Sequence, residues 1–428
     1  MSDGGNRRAD VEMLRHLGRN FAVHTIEGGL FIGALTLLNE NTVLPSMVRS
    51  LDGPDWLTSL MPVLPSIGFA LAPICTAHLI ERAERFKPLC LLTGVFQRLP
   101  YLAAGLLLLL LVGSHPVLVL AAVGLAPLLS SLAGGLTLTA WQQLVMKTVP
   151  VRRRPMLFGL RDAMSCVLGV GAGWAVKWTL ETWPGTTGYS LLYLGAFVTL
   201  AASYVAFLCL HECGRHPPVS VRRTTLMENL RAIPSLVRAD RRFSRYLVAG
   251  MLVNGLFIMM PFLAIHAREA TGLPESFVGD LVMATMVGAV IGNLMAAYVS
   301  GRAGCKPAMI ASRVALVVMA AWPLVATGGW EYRGIFFLFG LGFYAHRTSN
   351  TAMGLELCPK ERRPMYLSLM SLVGAPSMLA AAGLAALVRA SGADFAVAAA
   401  LSALVLAASI WVLLPLQEPE RRAAAHAT

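Results

Sequence analysis

Charged residues are scarce in this sequence. Asp, Glu, Lys and Arg make up only 14% of its 428 residues, whereas 56% of the residues are hydrophobic. About 25% of the residues of a soluble domain are charged, and a single soluble core of this length is unusual. The scarcity of charge therefore excludes an ordinary soluble domain and indicates a bundle of membrane-spanning helices.

The sequence also lacks the patterns that are typical of catalytic and metal sites. It has no Gly-x-Ser-x-Gly elbow, no Walker loop, no His-x4-Asp pattern and no acidic metal-binding cluster. Its seven cysteines are odd in number and scattered, which excludes a disulfide framework. The segment "CLHECGRH" (209–216) contains ligand-type residues, but its spacing matches no zinc template, so we expect the end of an apolar helix there. We expect no catalytic residue, no cofactor and no metal.

Long apolar runs dominate the rest of the chain. A span needs about 20 mostly apolar residues, and twelve such runs are present, at about 21–44, 56–80, 88–112, 116–146, 156–178, 188–210, 243–266, 276–300, 307–327, 332–356, 365–390 and 393–415. The first run lacks a signal-peptide cleavage site, so we expect it to remain as the first span. The predicted organisation is an N-terminal segment (1–20), a six-helix half (21–210), a linker (211–242), a second six-helix half (243–415) and a tail (416–428).

Lys and Arg are distributed unequally between the two sides of these spans. Of 35 such residues, 26 lie at the termini and in the connections after even-numbered spans, and only 5 lie on the other side. The positive-inside rule therefore predicts that both termini are cytoplasmic. The same distribution explains the net charge of +12 without nucleic acid, because these loops face an anionic leaflet. The excess of Arg over Lys is typical of a GC-rich bacterial genome, so we expect a location in the inner membrane.

Three short segments recur along the chain. "VPVRRRPM" (149–156) recurs as "CPKERRPM" (358–365), "ERAERFKP" (81–88) resembles "GRAGCKP" (301–307), and "GLFI" (29–32) recurs at 255–258. Each recurrence links one span to the span six positions later. The predicted fold is therefore an all-α membrane protein with twelve transmembrane helices in two pseudo-symmetric six-helix halves.

With this plan and these loops, the sequence resembles the major facilitator superfamily over essentially all twelve spans. In that family the loop after span 2 has Gly or Ala, then Leu-Ala-Asp-Arg, a Gly and Arg-Arg or Arg-Lys, and this sequence has "AHLIERAERFK" at 77–87. The resemblance implies a cytoplasmic latch between the halves, formed by Glu81, Arg82, Arg85, Lys87, Arg302 and Lys306. The alternative is a solvated basic loop that only sets topology. Span 5 lacks the Gly-Pro pair of drug/proton antiporters, which argues against drug efflux.

Among the charged residues inside the predicted spans, four are candidates for proton coupling or for buried ion pairs: Glu27, Arg98, Arg161 and Asp162. Unpaired charges are rare in membranes, so one alternative pairs Glu27 with Arg98. The other makes Glu27 a proton-coupling acid. Arg161 and Asp162 are adjacent on one helix and about 100° apart, so each needs a partner on another helix.

Seven further polar residues are candidates for the substrate pathway: Glu40, Asn41, Asn254, His266, His346, Arg347 and Asn350. In the family that the sequence resembles, spans 1, 4, 7 and 10 line the central cavity. Arg347 lies beside His346 near the middle of span 10. Its guanidinium suits a carboxylate or phosphate of the substrate; the alternative is a helix-packing pair with an acid.

Helical periodicity and the repeat refine the other candidates. On a continuous helix, Glu27 and Asn41 share a face because they are about four turns apart, whereas Glu40 points elsewhere. The "GLFI" alignment places Glu40 opposite His266. Asn254 and His266 are either part of a polar site near the middle of the membrane or polar groups that are satisfied by helix packing.

The favoured function is secondary active transport of a small organic solute by alternating access, coupled to protons. The expected partners are this solute, protons and the lipid bilayer, and the expected state is a monomer. One alternative is a lipid-moving or non-transporting sensor protein on the same fold. Another is a polytopic lipid-modifying enzyme, which the missing catalytic motifs disfavour.

Overall fold

The computed structural model describes residues 3–70, 85–213, 240–358, 363–416 and 418. These ranges contain α-helices and short 3₁₀ segments, and no β-strand. Nine helices within them are long and apolar enough to cross a membrane. This architecture agrees with the predicted all-α membrane fold. The count of nine holds for the described ranges alone, so the total of twelve spans stays a prediction.

The α-helices are numbered here in chain order. They are α1 (Asp3–Leu37), α2 (Val43–Ser50), α3 (Asp55–Leu60), α4 (Lys87–Leu111), α5 (Pro116–Thr148), α6 (Arg154–Thr182), α7 (Thr186–Leu208), α8 (Arg241–Val253), α9 (Met260–Thr271), α10 (Phe277–Ala303), α11 (Cys305–Ala321), α12 (Gly329–Leu357), α13 (Arg363–Ala390) and α14 (Phe395–Leu413). The chain forms two compact units. Unit 1 comprises Met1–Val43 and Leu64–Arg222, and unit 2 comprises Leu44–Val63 and Arg223–Thr428.

Local sequence explains where several helices begin and end. Proline, whose missing N–H has no partner in a first turn anyway, occupies the first turn of α4 (Pro88), α5 (Pro116) and α9 (Pro261). Asp240 caps α8 by accepting hydrogen bonds from two backbone N–H groups. Gly272 ends α9 in a left-handed conformation with φ 66°.

The first helix ends earlier than the sequence predicts. α1 stops at Leu37, and the chain turns before α2 begins at Val43. Asn39 Oδ1 accepts hydrogen bonds from Asn41 N at 3.0 Å and from Thr42 Oγ1 at 3.1 Å, a local arrangement that competes with the helix. The prediction that Glu27 and Asn41 share one helical face is therefore wrong, because the helical period does not continue to Asn41.

The predicted seventh span is interrupted in its middle. A 3₁₀ segment, Asn254–Ile258, separates α8 from α9 and contains the second "GLFI", whereas the first "GLFI" lies within α1. Two neighbouring helices, α13 and α14, form hydrogen bonds with the 3₁₀ segment. Ser402 Oγ on α14 donates to Gly255 O at 2.7 Å, and Asn254 Nδ2 donates to Ser377 Oγ on α13 at 2.7 Å. These contacts satisfy polar groups that would otherwise lack partners in an apolar bundle.

Each unit joins the start of its third span to the end of its sixth by the same contacts. In unit 1, Glu212 accepts from the backbone N–H groups of Phe86 and Lys87, both at 2.9 Å, and Lys87 Nζ donates to Leu208 O and Leu210 O, both at 2.8 Å. We call this the Lys87–Glu212 cap. A carboxylate at a helix N-terminus and an ammonium at a helix C-terminus both stabilise the helix dipoles.

Unit 2 contains the equivalent arrangement, the Lys306–Glu418 cap. Lys306 N donates to Glu418 Oε1, and Lys306 Nζ donates to Leu414 O at 2.6 Å. Leu210 and Leu416 are both buried in the apolar cluster of their own unit. The sequence places a Leu-x-Glu at 210–212 and at 416–418, so the structure adds a fourth recurrence to the three found in the sequence.

Residues 44–63 belong to unit 2, whereas the predicted first half runs from 21 to 210. Two partly exposed ion pairs join them to that unit: Arg49 Nη2 lies 3.8 Å from Glu269 Oε1, and Arg389 Nε lies 4.0 Å from Asp55 Oδ2. Exposed pairs of this kind contribute about 0–1 kcal/mol each. Their contribution to the stability of unit 2 is therefore small, and their main effect is to favour the observed pairing of residues 44–63 with the helices that carry Glu269 and Arg389.

Candidate functional site

Glu27 and Arg161 form an ion pair between α1 and α6. Glu27 Oε2 lies 3.3 Å from Arg161 Nη1, and Glu27 is only 8% exposed. The guanidinium passes directly over Gly28, where an added Cβ would lie 2.0 Å from Arg161 Nε. The glycine therefore leaves the space through which Arg161 reaches the carboxylate.

Trp141 and His24 complete a group that we call the unit 1 polar cluster (His24, Glu27, Trp141 and Arg161). The Arg161 guanidinium lies 4.4 Å from the centroid of the Trp141 ring, within cation–π range. His24 Nε2 shares a hydrogen bond of 3.0 Å with Thr148 Oγ1, and its ring meets Trp141 edge-on. One imidazole and one carboxylate are too few donors for a metal centre. The cluster instead holds a buried pair of opposite charges.

Burial makes this ion pair sensitive to the loss of either charge. Attraction between two buried ions roughly offsets the cost of removing them from water, but losing one partner leaves an uncompensated charge, at about 3–5 kcal/mol. The protonation state of Glu27 and the position of Arg161 are therefore coupled. Because the two residues lie on different helices, this coupling extends to the packing of α1 against α6.

Arg98 has other partners than the one expected. Its Nε donates to Leu200 O at 2.8 Å and its Nη1 to Gly94 O at 2.7 Å, while Nη2 lies 3.4 Å from Ser203 Oγ. Pairing of Glu27 with Arg98 is thus corrected to pairing of Glu27 with Arg161. The two remain linked through Ser203, whose hydroxyl donates to Glu27 O at 3.1 Å. Asp162, next to Arg161, has an exposed side chain, in keeping with a different face of α6.

Two of the unit 2 candidates are engaged in helix packing. Asn254 contacts Ser377, as described above. The His266 ring stacks on Phe395 with the centroids 4.0 Å apart and meets Tyr332 edge-on at 6.0 Å. These contacts favour the packing interpretation for both residues over a shared polar site.

The remaining unit 2 candidates lie on α12 and are not brought together. His346 is half-buried, whereas Arg347 is exposed. Adjacent residues of a helix point about 100° apart, so the two side chains face different surroundings, and the choice between an anion-binding and a helix-packing role for Arg347 stays a prediction. Asn350 is half-buried, and its backbone oxygen accepts a hydrogen bond of 2.8 Å from Tyr246 Oη. In unit 1, Glu40 is half-buried and Asn41 is buried in the turn after α1.

The predicted latch residues divide into three groups. Glu81 and Arg82 lie outside the described residues. Arg85 is exposed, and the Arg302 guanidinium lies 4.6 Å from the centroid of the Tyr298 ring. Lys87 and Lys306 belong to the two caps. Each ammonium group contacts the end of the last helix of its own unit, and the latch between the halves stays a prediction.

His24, Gly28 and Trp141 were missed by the sequence analysis. His24 precedes Glu27 by three residues, so helical periodicity places both on neighbouring positions of one face and could have identified His24. Trp141 gives no such signal, because one tryptophan in an apolar span is also typical of ordinary packing. Gly28 is recognisable only from the guanidinium that passes over it.

Comparisons with known proteins agree with this architecture. The family model described as Major Facilitator Superfamily matches residues 26–382 and, in a second match, residues 245–428. No curated protein matches the chain. The family match covers most of the chain, including both units and the whole unit 1 polar cluster except His24.

Solved structures of transporters have the same fold. A mutant of the nucleoside transporter NupG is 15% identical with a TM-score of 0.72, covering 93% of this chain and 100% of its own. A POT family transporter in complex with a thioalcohol-conjugated peptide is 12% identical with a TM-score of 0.69, covering 94% and 95%. A bacterial homologue of the iron transporter ferroportin in the inward-facing state is 15% identical with a TM-score of 0.66, covering 94% and 98%.

Proposed function

The chain belongs to the Major Facilitator Superfamily, and from that premise we propose that it moves a small organic solute by alternating access, coupled to protons. It is a multi-pass membrane transporter rather than an enzyme. We also propose cytoplasmic termini, on the basis of the distribution of Lys and Arg, and a monomer in a bacterial inner membrane, the bacterial origin resting on the excess of Arg over Lys. The observation that carries the proposal is the buried Glu27–Arg161 ion pair.

Proton coupling needs a carboxyl group whose charge changes the contact between two helices. When Glu27 is ionised, it attracts Arg161 across the interface of α1 and α6. When Glu27 takes up a proton, that attraction is lost, and Arg161 keeps its contact with the face of Trp141. We propose that proton binding at Glu27 thereby loosens α1 from α6 and biases the transporter toward one access state.

The substrate class can be tested by thermal unfolding of the purified protein with candidate solutes at two pH values. Nucleosides and short peptides come first, because one structurally similar protein is named a nucleoside transporter and another is a transporter in complex with a conjugated peptide. Iron follows, because a third is a homologue of an iron transporter, and lipids complete the panel. We expect a water-soluble organic solute to raise the melting temperature by preferential binding to the folded state. If only lipids do so, the small-solute proposal is wrong.

Proton coupling can be tested with that solute in proteoliposomes under an imposed pH gradient. We expect the gradient to accelerate uptake by the wild type. Glu27→Gln should retain solute exchange without a gradient but lose the acceleration. Asp162→Asn is the matched control, because it removes an exposed carboxylate next to Arg161, and it should keep the acceleration. Wild-type uptake that ignores the gradient would remove the proton from the mechanism, and a misfolded Glu27→Gln would favour a structural pair.

A further inference from the structure

Three ligand-type side chains meet near the N-terminal part of α1, away from the unit 1 polar cluster. The Glu12 carboxylate, the His211 imidazole and the Cys213 thiol place one atom each within 4.8 Å of the others. His211 Nε2 lies 3.0 Å from Glu12 Oε1. A fourth candidate, His16, is one helical turn after Glu12, and its ring centroid is 4.0 Å from that of His211. All four residues belong to unit 1.

The backbone that presents His211 and Cys213 is fixed from two directions. Asn20 Nδ2 donates to His211 O at 3.0 Å, and His211 N donates to Asn20 Oδ1 at 2.9 Å. Glu212, between the two ligand residues, is held by the N-terminus of α4 as part of the Lys87–Glu212 cap. The segment is therefore positioned before any ligand arrives, which is what a binding site of defined geometry requires.

The equivalent segment of unit 2 shows which residues the cap itself requires. The Lys306–Glu418 cap uses the same Leu-x-Glu pattern, but the sequence there has Gln417 in place of His211 and Pro419 in place of Cys213. Capping thus requires neither an imidazole nor a thiol. Their presence in unit 1, opposite Glu12 and His16, needs another explanation.

The donor set identifies the ligand class. Imidazole, thiolate and carboxylate together are typical ligands of Zn²⁺, which prefers four of them in a tetrahedron. At ligand distances of about 2.0–2.3 Å, the donors of such a site are about 3.5 Å apart. The donor atoms of Glu12, His211 and Cys213 already lie within 4.8 Å of one another, and rotation of the His16 side chain, whose ring lies against that of His211, supplies the fourth donor. One thiolate and one carboxylate would also balance the charge of the ion, which favours a partly buried site.

We propose that Glu12, His16, His211 and Cys213 bind a zinc ion that fastens the N-terminal part of α1 to the segment after α7. Binding replaces the proton of the Cys213 thiol with the metal and releases that proton to solvent. The site does not depend on the transported solute.

A redox role for Cys213 fits the structure less well. Cys213 is only 4% exposed. Burial, with the nearby carboxylates of Glu12 and Glu212, raises the pKa of its thiol to about 11. A shielded thiol is poorly accessible to soluble oxidants, whereas a cation held by Glu12 and His211 lies next to the sulfur and replaces its proton.

The test is metal binding by the purified full-length protein. We expect one zinc per chain after dialysis, a higher melting temperature with zinc than with a chelator, and, with Co²⁺ as a probe, a thiolate-to-cobalt charge-transfer band that zinc abolishes. Cys213→Ser should remove the band and weaken zinc binding at least about tenfold. Cys209→Ser, which changes an exposed thiol four residues earlier, is the matched control and should leave both unchanged.

Variants in α1 keep the proposal testable if Cys213→Ser misfolds. Glu12→Ala and His16→Ala each remove one donor without altering the cap, and both should weaken zinc binding while Co²⁺ still gives the thiolate band. The proposal is overturned if the wild type binds no zinc. It is also overturned if binding persists at full strength in Glu12→Ala and His16→Ala, or if Cys209→Ser rather than Cys213→Ser removes the band.

Discussion

The Lys87–Glu212 cap and the Lys306–Glu418 cap allow the two units to be compared at equivalent places. In unit 1, Glu212 Oε1 also lies 3.0 Å from Lys147 Nζ. Alignment of Pro150 with Pro359 puts Glu356 at the position of Lys147, and in unit 2 Glu356 Oε1 accepts from Cys305 Sγ at 3.2 Å. The same backbone arrangement thus has a cation beside it in one unit and a second carboxylate in the other. The cap fixes the helices but not the charges around them.

The same alignments show what is special about the unit 1 polar cluster. They place Val253 at the position of Glu27 and Met370 at the position of Arg161. Val253 is buried and Met370 is packed against the apolar cluster of unit 2. Apolar side chains therefore suffice where unit 1 has an ion pair. We therefore expect that folding of unit 1 does not require Glu27 and Arg161, in line with the proposed role of this pair in transport.

The most severe test of this comparison removes one charge of the pair. Arg161→Met should destabilise the protein by about 3–5 kcal/mol, because Glu27 then stays buried without its cation. The double variant Glu27→Val with Arg161→Met, which copies unit 2, should recover the stability of the wild type. Chemical unfolding in detergent measures both. The double variant should nevertheless lose acceleration of uptake by a pH gradient.

Two results would contradict this account. If the double variant is as unstable as Arg161→Met, the ion pair is required for folding, and the apolar residues of unit 2 do not show what unit 1 tolerates at these positions. If the double variant keeps gradient-driven uptake, the coupling residue lies elsewhere. Asp162→Asn serves again as the control for changes of charge at this part of α6.

An exchange of charge between the two caps should have a smaller effect. Lys147→Glu copies unit 2 into unit 1 and puts a second carboxylate beside the largely buried Glu212, so we expect a loss of about 2 kcal/mol in the free energy of unfolding. The reverse change, Glu356→Lys, affects an exposed residue and should change stability by about 0.5 kcal/mol or less. Equal effects of the two changes would show that both caps respond alike to charge.

The smallest effect concerns the start of the fourth span of each unit. In unit 2, Glu331 Oε2 accepts from Thr327 N at 2.6 Å and from Gly328 N at 2.7 Å, and these backbone N–H groups lower the pKa of Glu331 below its ordinary 4.5. A lowered pKa in the folded state gives stabilisation that is present above pH 4.5 and lost as the pH falls through the folded-state pKa. α5 in unit 1 has no acidic residue in its first turn.

We therefore expect Glu331→Gln to lower the melting temperature slightly at neutral pH, with the difference from the wild type shrinking below pH 4.5. Ser114→Ala, just before α5, is the control because it removes an exposed hydroxyl and no titratable group, and its difference from the wild type should stay constant over this range. A difference between wild type and Glu331→Gln that stays constant from neutral to acidic pH would contradict the capping role of the carboxylate.

Much of the fold could be predicted from the sequence because its signals are local. Apolar runs of membrane length and short recurring segments need only neighbouring residues to be recognised, and the family and the all-α membrane fold that they predicted are confirmed. Part of the candidate site was predicted in the same way, since a glutamate within an apolar run is conspicuous by itself. Its partner was not, because an arginine side chain is long enough for either Arg98 or Arg161 to reach the carboxylate from another helix.

The sequence by itself determined the membrane class, the duplication and the family. The tertiary structure decided that Arg161 rather than Arg98 meets Glu27, because Gly28 leaves space for one guanidinium while backbone carbonyls occupy the other. It also decided that Lys87 and Lys306 serve caps, and that His211 meets Glu12 from 199 residues away. The physical reason is the same in each case. Which side chains meet depends on how the helices rotate and how closely they approach one another, and a local sequence pattern does not specify either.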